Sequence, residues 1–104
     1  MKRKIAIFGG SQEVTFKKIA KKNGCDVVFH NGKSRNGGNK KEFRNVIKKA
    51  DCVVVLYDAL GHISMDIVKE LSKKMDKPID FIPGRGATGA VNAGLQLLQS
   101  NEAA

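Results

Sequence analysis

Tryptophan is absent from this chain, tyrosine occurs once, and proline, cysteine and histidine occur twice each. With aromatic residues at only 6%, the chain lacks the interleaved aromatics on which an RNA-binding sheet stacks bases. No helix-turn-helix pattern stands in for them. The cysteines, Cys25 and Cys52, form no Cys-x-x-Cys pair, which leaves neither a zinc ribbon nor a thioredoxin-type motif. They read as small buried residues in a reducing compartment. No apolar run approaches the roughly 18 residues that a membrane helix needs. The apolar stretch after Met1-Lys2-Arg3-Lys4 halts at Gly9-Gly10, too short for a signal-peptide core and with no small-residue cleavage site after it. A cytoplasmic protein without a membrane partner is expected. Acid is scarce as well: nineteen Lys and Arg stand against ten Asp and Glu, a net charge of +9. Such an excess points either to an anionic partner or to solvated, lysine-rich helix faces.

What is present is a regular alternation. The 104 residues suit one domain, long enough to bury a core without disulfides or metals. Lys4 to Phe8 is an apolar run ending at Gly9-Gly10, as expected of a strand buried on both faces. Ser11 offers an N-cap to a helix carrying Phe16, Ile19 and Ala20, stopped by Asn23-Gly24. Cys25 to His30 is the second strand. A polar, basic, glycine-rich loop follows from Gly32 to Lys41. Phe43, Val46, Ile47 and Ala50 make the stripe of a second helix. Asp51 to Tyr57 is a β-branched strand. Ile63, Ile67, Leu71 and Met75, with Val68, mark a third helix closed by Lys77-Pro78. Ile79 to Ile82 is the fourth strand. A last helix runs from Ala87 to Ser100 with Val91, Leu95 and Leu98 on one face, and the tail after it is expected to fray. There is no internal repeat and no linker.

Strands alternating with helices make a parallel sheet with right-handed crossovers. Four such units cannot close a barrel. The expected fold is a four-stranded parallel sheet in a Rossmann-like or flavodoxin-like three-layer sandwich. Strand order 2-1-3-4 puts the two most apolar strands at the centre. Ligands of such sheets bind beyond the carboxyl ends of the strands, at the point where the strand order reverses.

Four loops meet there. Gly9-Gly10-Ser11 allows close backbone approach at a helix start, where free N–H groups and the helix dipole favour an anion. It is neither the dinucleotide G-x-G-x-x-G fingerprint nor a P-loop. His30-Asn31 ends the second strand, Tyr57-Asp58 ends the third, and His62 opens the third helix. Gly84-Arg85-Gly86, with Thr88 close behind, suits a phosphate or carboxylate. No nucleophile, base and orienting group assemble into a catalytic set. Ser11, Ser34 and Thr88 lack a base partner, and Asp58 with either histidine would serve acid–base chemistry only in the right geometry.

The same residues carry a resemblance. The runs I-A-I-F-G-G-S, V-V-F-H-N-G, A-D-C-V-V-V-L, G-H-I-S and K-P-I-D-F-I-P-G-R-G together resemble the bacterial family of domains of unknown function numbered 2325, from about Lys4 to Leu98. The order of the motifs carries the likeness: Gly9-Gly10, His30 before Gly32, Ala50-Asp51, and Gly61-His62 with Ser64. The resemblance implies a small Rossmann-like cytosolic protein with no assigned activity, and singles out His30 and His62. The basic stretch from Lys33 to Lys41 looks particular to this chain.

Three functional expectations follow. The first is a ligand-binding or sensing module, with a nucleotide- or phosphate-like anion on the glycine-rich loops and His30, Asn31, Tyr57, Asp58 and His62 reading the rest. The second is nucleic-acid association through Lys33, Arg35, Lys40, Lys41 and Arg44, with Arg85. The third is a metal or haem sensor using His30 and His62. An open sheet of four strands leaves two edges, and a homodimer covering one is expected.

Overall fold

The structure is a computed structural model that describes residues 3–31, 40–83 and 86–103. Its elements run β1 (Arg3–Phe8), α1 (Glu13–Lys22), β2 (Cys25–His30), α2 (Lys40–Lys49), β3 (Cys52–Leu56), α3 (His62–Lys74), β4 (Ile79–Ile82) and α4 (Ala87–Ala103), with a 3₁₀ turn at Tyr57–Ala59. The four strands form one parallel sheet in the order β2-β1-β3-β4. The strand order and the α/β three-layer fold are those expected from the sequence.

The register explains why the central strands are apolar throughout. Side chains alternate between the faces of a sheet, and both faces are covered. Ile5, Ile7, Cys52, Val54 and Leu56 point to one face, where Phe16 and Ala20 of α1 and Ala90, Val91 and Leu98 of α4 meet them. Ala6, Phe8, Val53 and Val55 point to the other, against Phe43 and Ile47 of α2 and Ile67, Val68 and Leu71 of α3. Phe8 meets Phe43 edge-on, with ring centroids 5.5 Å apart, an arrangement contributing about 0.5–1.5 kcal/mol beyond its area. At the foot of the sheet the carboxylate of Asp51 accepts from the Lys4 backbone N–H at 2.9 Å, while the Asp51 N–H donates to the Lys4 carbonyl.

Several local expectations are corrected. Ser11 does not cap α1; Gln12 holds that position, and its side chain makes no capping bond. The two glycines at the end of β1 add chain before the helix starts. Asp51 and Tyr57 fall outside β3. Helix α3 stops at Lys74, before Lys77-Pro78, because Asp76 takes a left-handed φ of 56°. There the Lys77 N–H donates to the Ser72 carbonyl and the Asp76 N–H to the Lys73 carbonyl, a Schellman ending. Ile63 is not part of the α3 stripe: it is 62% exposed. Four-residue steps drift by about 40° each against a 3.6-residue turn, and by the first turn the stripe has left the sheet. Helix α4 continues past Ser100 to Ala103, since Glu102 and Ala103 are good helix formers. Among the described residues no helix is long and apolar enough to cross a membrane.

Candidate functional site

The carboxyl ends of β1 and β3 lie side by side, and β1 is the strand from which the chain first departs to one side of the sheet and later crosses back to the other. Gly9 and Gly10 turn the chain there with φ of +108° and +87°, values that L side chains rarely adopt. The Gly9 N–H donates to the His30 carbonyl at 2.9 Å, so the ladder between β1 and β2 extends one residue into the loop. A Cβ on Gly9 would lie 3.0 Å from the Leu56 carbonyl oxygen and 3.4 Å from the Ala59 Cβ. The turn is therefore pressed against the end of β3 and the 3₁₀ turn that follows. Gly10 is less confined; the nearest atom to its Cβ position is Leu56 Cδ1 at 3.7 Å.

Two helices begin at this end without a side-chain cap. Helix α1 starts after Gln12, and α3 after Gly61 in extended backbone, neither making a side-chain capping bond. The leading N–H groups of a helix have no partner within it. Ser11 and Gln12 are exposed, as are Asn31, Asp58, Gly61 and His62. Three large apolar side chains that sequence reasoning did not single out as exposed also stand here: Val14 on α1 is 67% exposed, Tyr57 40% and Ile63 62%. Val14 and Ile63 lie on the first turns of α1 and α3, and Tyr57 opens the 3₁₀ turn after β3, at the carboxyl edge of the sheet. Gly86 and Thr88 are exposed at the start of α4. Gly84, Arg85, Lys33 and Arg35 lie outside the described residues.

His30 is placed differently from the rest. It is 7% exposed and faces the α2 layer, pairing in register with Phe8. Its ring meets Phe43 edge-on at 4.7 Å and Phe8 at 5.9 Å. Its Nε2 lies 2.8 Å from Oε1 of Glu42; a carboxylate only accepts, so this nitrogen carries a proton. His62 opens α3 six residues beyond β3, and β1 lies between β3 and the strand that bears His30. Glu42 is a partner the sequence does not advertise, being twelve residues beyond His30 and past a glycine-rich stretch. Among the described residues no three His, Cys, Asp or Glu side chains gather as a metal site.

Titration at the far end of the sheet is set by burial. Desolvation pushes the Cys52 thiol up to about 12, with the Asp51 charge adding to it. Burial also raises Cys25, opposed by Arg3. Both cysteines are buried and free, with β1 between their strands.

Compared with known proteins, residues 4–97 match the family described as an uncharacterized protein conserved in bacteria, DUF2325. The chain belongs to this family. It is 51% identical over 96 residues to a UPF0751 protein of Bacillus cereus strain AH820, covering 92% of this chain and 96% of that one. A UPF0751 protein of Bacillus anthracis is 49% identical over 96 residues, with the same coverage of 92% and 96%. One from Desulfitobacterium hafniense strain Y51 is 33% identical over 84 residues, covering 80% of this chain and 82% of its own. No solved structure matches. The matched span holds β1 from Lys4 onward, the whole of β2, β3 and β4, and both histidines.

Proposed function

We propose that this protein is a binding or sensing module for a small anionic ligand of nucleotide or phosphate type, held at the carboxyl ends of β1 and β3. The observation that carries the reading is the pair of uncapped helix starts, α1 and α3, on either side of the Gly9–Gly10 turn. Leading N–H groups and the positive helix end suit an anion. The exposed Tyr57, Ile63 and Val14 supply apolar surface for a base or similar flat group. Asp58 and His62 adjoin Tyr57 and Ile63 in the chain and are exposed beside them. Metal and haem ligation by the two histidines is less supported, because the His30 ring is engaged with Glu42 and two phenylalanines.

Isothermal titration with a panel of nucleoside mono- and diphosphates, nucleosides and inorganic phosphate tests the reading. Binding of at least one phosphorylated compound is expected, with the affinity reduced about tenfold or more, about 1.4 kcal/mol, in Tyr57→Ala or His62→Ala. No binding across the panel, or full affinity in both variants, defeats it. In this reading the protein works in the cytoplasm, where its two free thiols stay reduced, and dimerises along one of the open edges, β2 or β4. Size-exclusion chromatography with light scattering checks the dimer.

A further inference from the structure

A second surface lies away from these loops. Helices α2 and α3 pack side by side over one face of the sheet, and between them is a groove of about 490 Å³ lined by Arg44, Lys48, Leu71, Lys74, Met75 and Lys77. Helix α3 runs back against β3, so its last turn sets the groove toward the strand starts, opposite the glycine-rich loops. The floor is apolar, Leu71 and Met75, and the walls are cationic on both sides.

The charge in this groove is poorly neutralised. Among the described residues Arg44, Lys48 and Lys77 join no ion pair, and only Lys74 is met, by Glu70 at 3.1 Å. Arg44 and Lys48 are one helical turn apart on the solvent face of α2, whose other face buries Phe43 and Ile47. Lys40 and Lys41 continue that exposed face. Like charges facing each other across a concave, low-dielectric surface concentrate a positive field. No aromatic side chain lines the groove, so it offers nothing for a base to stack on.

We propose that the α2–α3 groove is a nucleic-acid backbone site, taking the phosphodiester ridge of a duplex without reading its bases. Charge complementarity selects the occupant: a polyanion sets successive phosphates against Arg44 and Lys48 on one wall and Lys74 and Lys77 on the other. The apolar floor seats the sugar edge, and the flexible Met75 adapts to it. The site differs from the one expected from the sequence in adding Lys48 of α2, Lys74 of α3 and Lys77 just beyond α3 to Arg44.

Fluorescence anisotropy with a short labelled DNA duplex tests this. With Lys74 already met by Glu70, the other three cations neutralise about three phosphates, and the resulting log–log salt slope of roughly −3 lowers affinity about 60-fold between about 50 and 200 mM salt. Removing each phosphate-contacting cation lowers the slope by about one. R44Q/K48Q is therefore expected to flatten the dependence to about fourfold over that range. The control is K18Q/K22Q on the exposed face of α1, which removes the same charge and is expected to keep the steep slope. Circular dichroism confirms that both variants fold. Absence of binding at low salt overturns the proposal. So does equal weakening by the α1 pair, which would make binding a property of net charge. Tight binding of a nucleotide or inorganic phosphate that R44Q/K48Q abolishes, with no duplex bound, would assign the groove to a small anion instead.

Discussion

Replacing Gly9 with alanine separates backbone strain from steric contact at the turn on which the candidate site is built. At φ +108° an L residue lies outside the regions it ordinarily occupies, which costs about 1–3 kcal/mol. The new methyl would also stand 3.0 Å from the Leu56 carbonyl oxygen and 3.3 Å from the Leu56 Cβ. Neither neighbour is a flexible chain end. Leu56 is fully buried and paired with Ile82 of β4, so β3 or the turn must shift, at an overpacking cost of about 1–3 kcal/mol. Together these give a loss of about 4 kcal/mol, within a range of about 2–6. Gly10→Ala is the internal reference. Its φ of +87° is also unfavourable, but its methyl meets nothing closer than 3.7 Å, so only the strain of about 1–2 kcal/mol applies. Urea unfolding at matched m-values measures both. The reasoning fails if Gly9→Ala lies within about 0.5 kcal/mol of the parent, the range of an inert surface change, or if Gly10→Ala is the more damaging of the two.

Other expectations follow from the same kind of accounting. On α4, a Cβ at Gly94 would fall 2.6 Å from Ile5 Cγ2 and 2.8 Å from Ile5 Cδ1. Gly94→Ala should therefore destabilise by about 1 kcal/mol net, the overpacking penalty outweighing a helix-propensity gain of about 1 kcal/mol; a rise in the urea midpoint would refute the close packing. Asp76→Gly relieves a left-handed φ of 56° at the end of α3 and removes a carboxylate from the negative helix end. A gain of about 1 kcal/mol is expected, raising the melting temperature by about 4–8 °C. The Cys52 thiol, pushed up to about 12 by burial, stays neutral in the folded protein where the unfolded chain ionises near pH 9. Its contribution is intact below about pH 9 and is lost as pH rises toward 12, and alkylation of Cys52 at pH 8 should follow the unfolding rate. Rapid labelling of the native protein would contradict its burial.

Strand order and sheet parity were legible because they rest on the most robust signal in the chain. A strand covered on both faces must be apolar at every position, and Ile5 to Phe8 and Cys52 to Leu56 are. The less apolar strands, β2 and β4, then fall to the edges. The placement of the loops then follows from topology. What was not legible depends on angles and on distant partners. Ile63 shares the four-residue spacing of the α3 stripe yet leaves the core, because spacing alone does not record where along the helix the sheet ends. Ser11 has the right chemistry for a cap but the wrong distance, since two glycines in positive-φ conformations displace the helix start to Glu13. The α2–α3 groove joins residues about thirty positions apart, and no local pattern marks it.

His30 carries the sharpest consequence of this difference between position and role. Its place at the end of β2 made it a ligand candidate. In the fold its ring fills the space between Phe8 and Phe43, its Nε2 holds Glu42 in the first turn of α2, and its carbonyl receives the Gly9 N–H. Removing the ring should cost about 2–4 kcal/mol, mostly through lost packing against Phe8 and Phe43 with the half-exposed Glu42 contact adding less, and should loosen α2 and the glycine turn together. A fall in ligand affinity in His30→Ala would then report a disordered loop as readily as a lost ligand contact. His62, exposed at the start of α3, has no such burden, and His62→Ala should stay within about 0.5 kcal/mol of the parent. Measuring urea stability for both variants before any titration decides the matter. If His30→Ala proves as stable as His62→Ala, the ring is not the wedge that its contacts describe, and His30 returns to the list of residues available to a ligand.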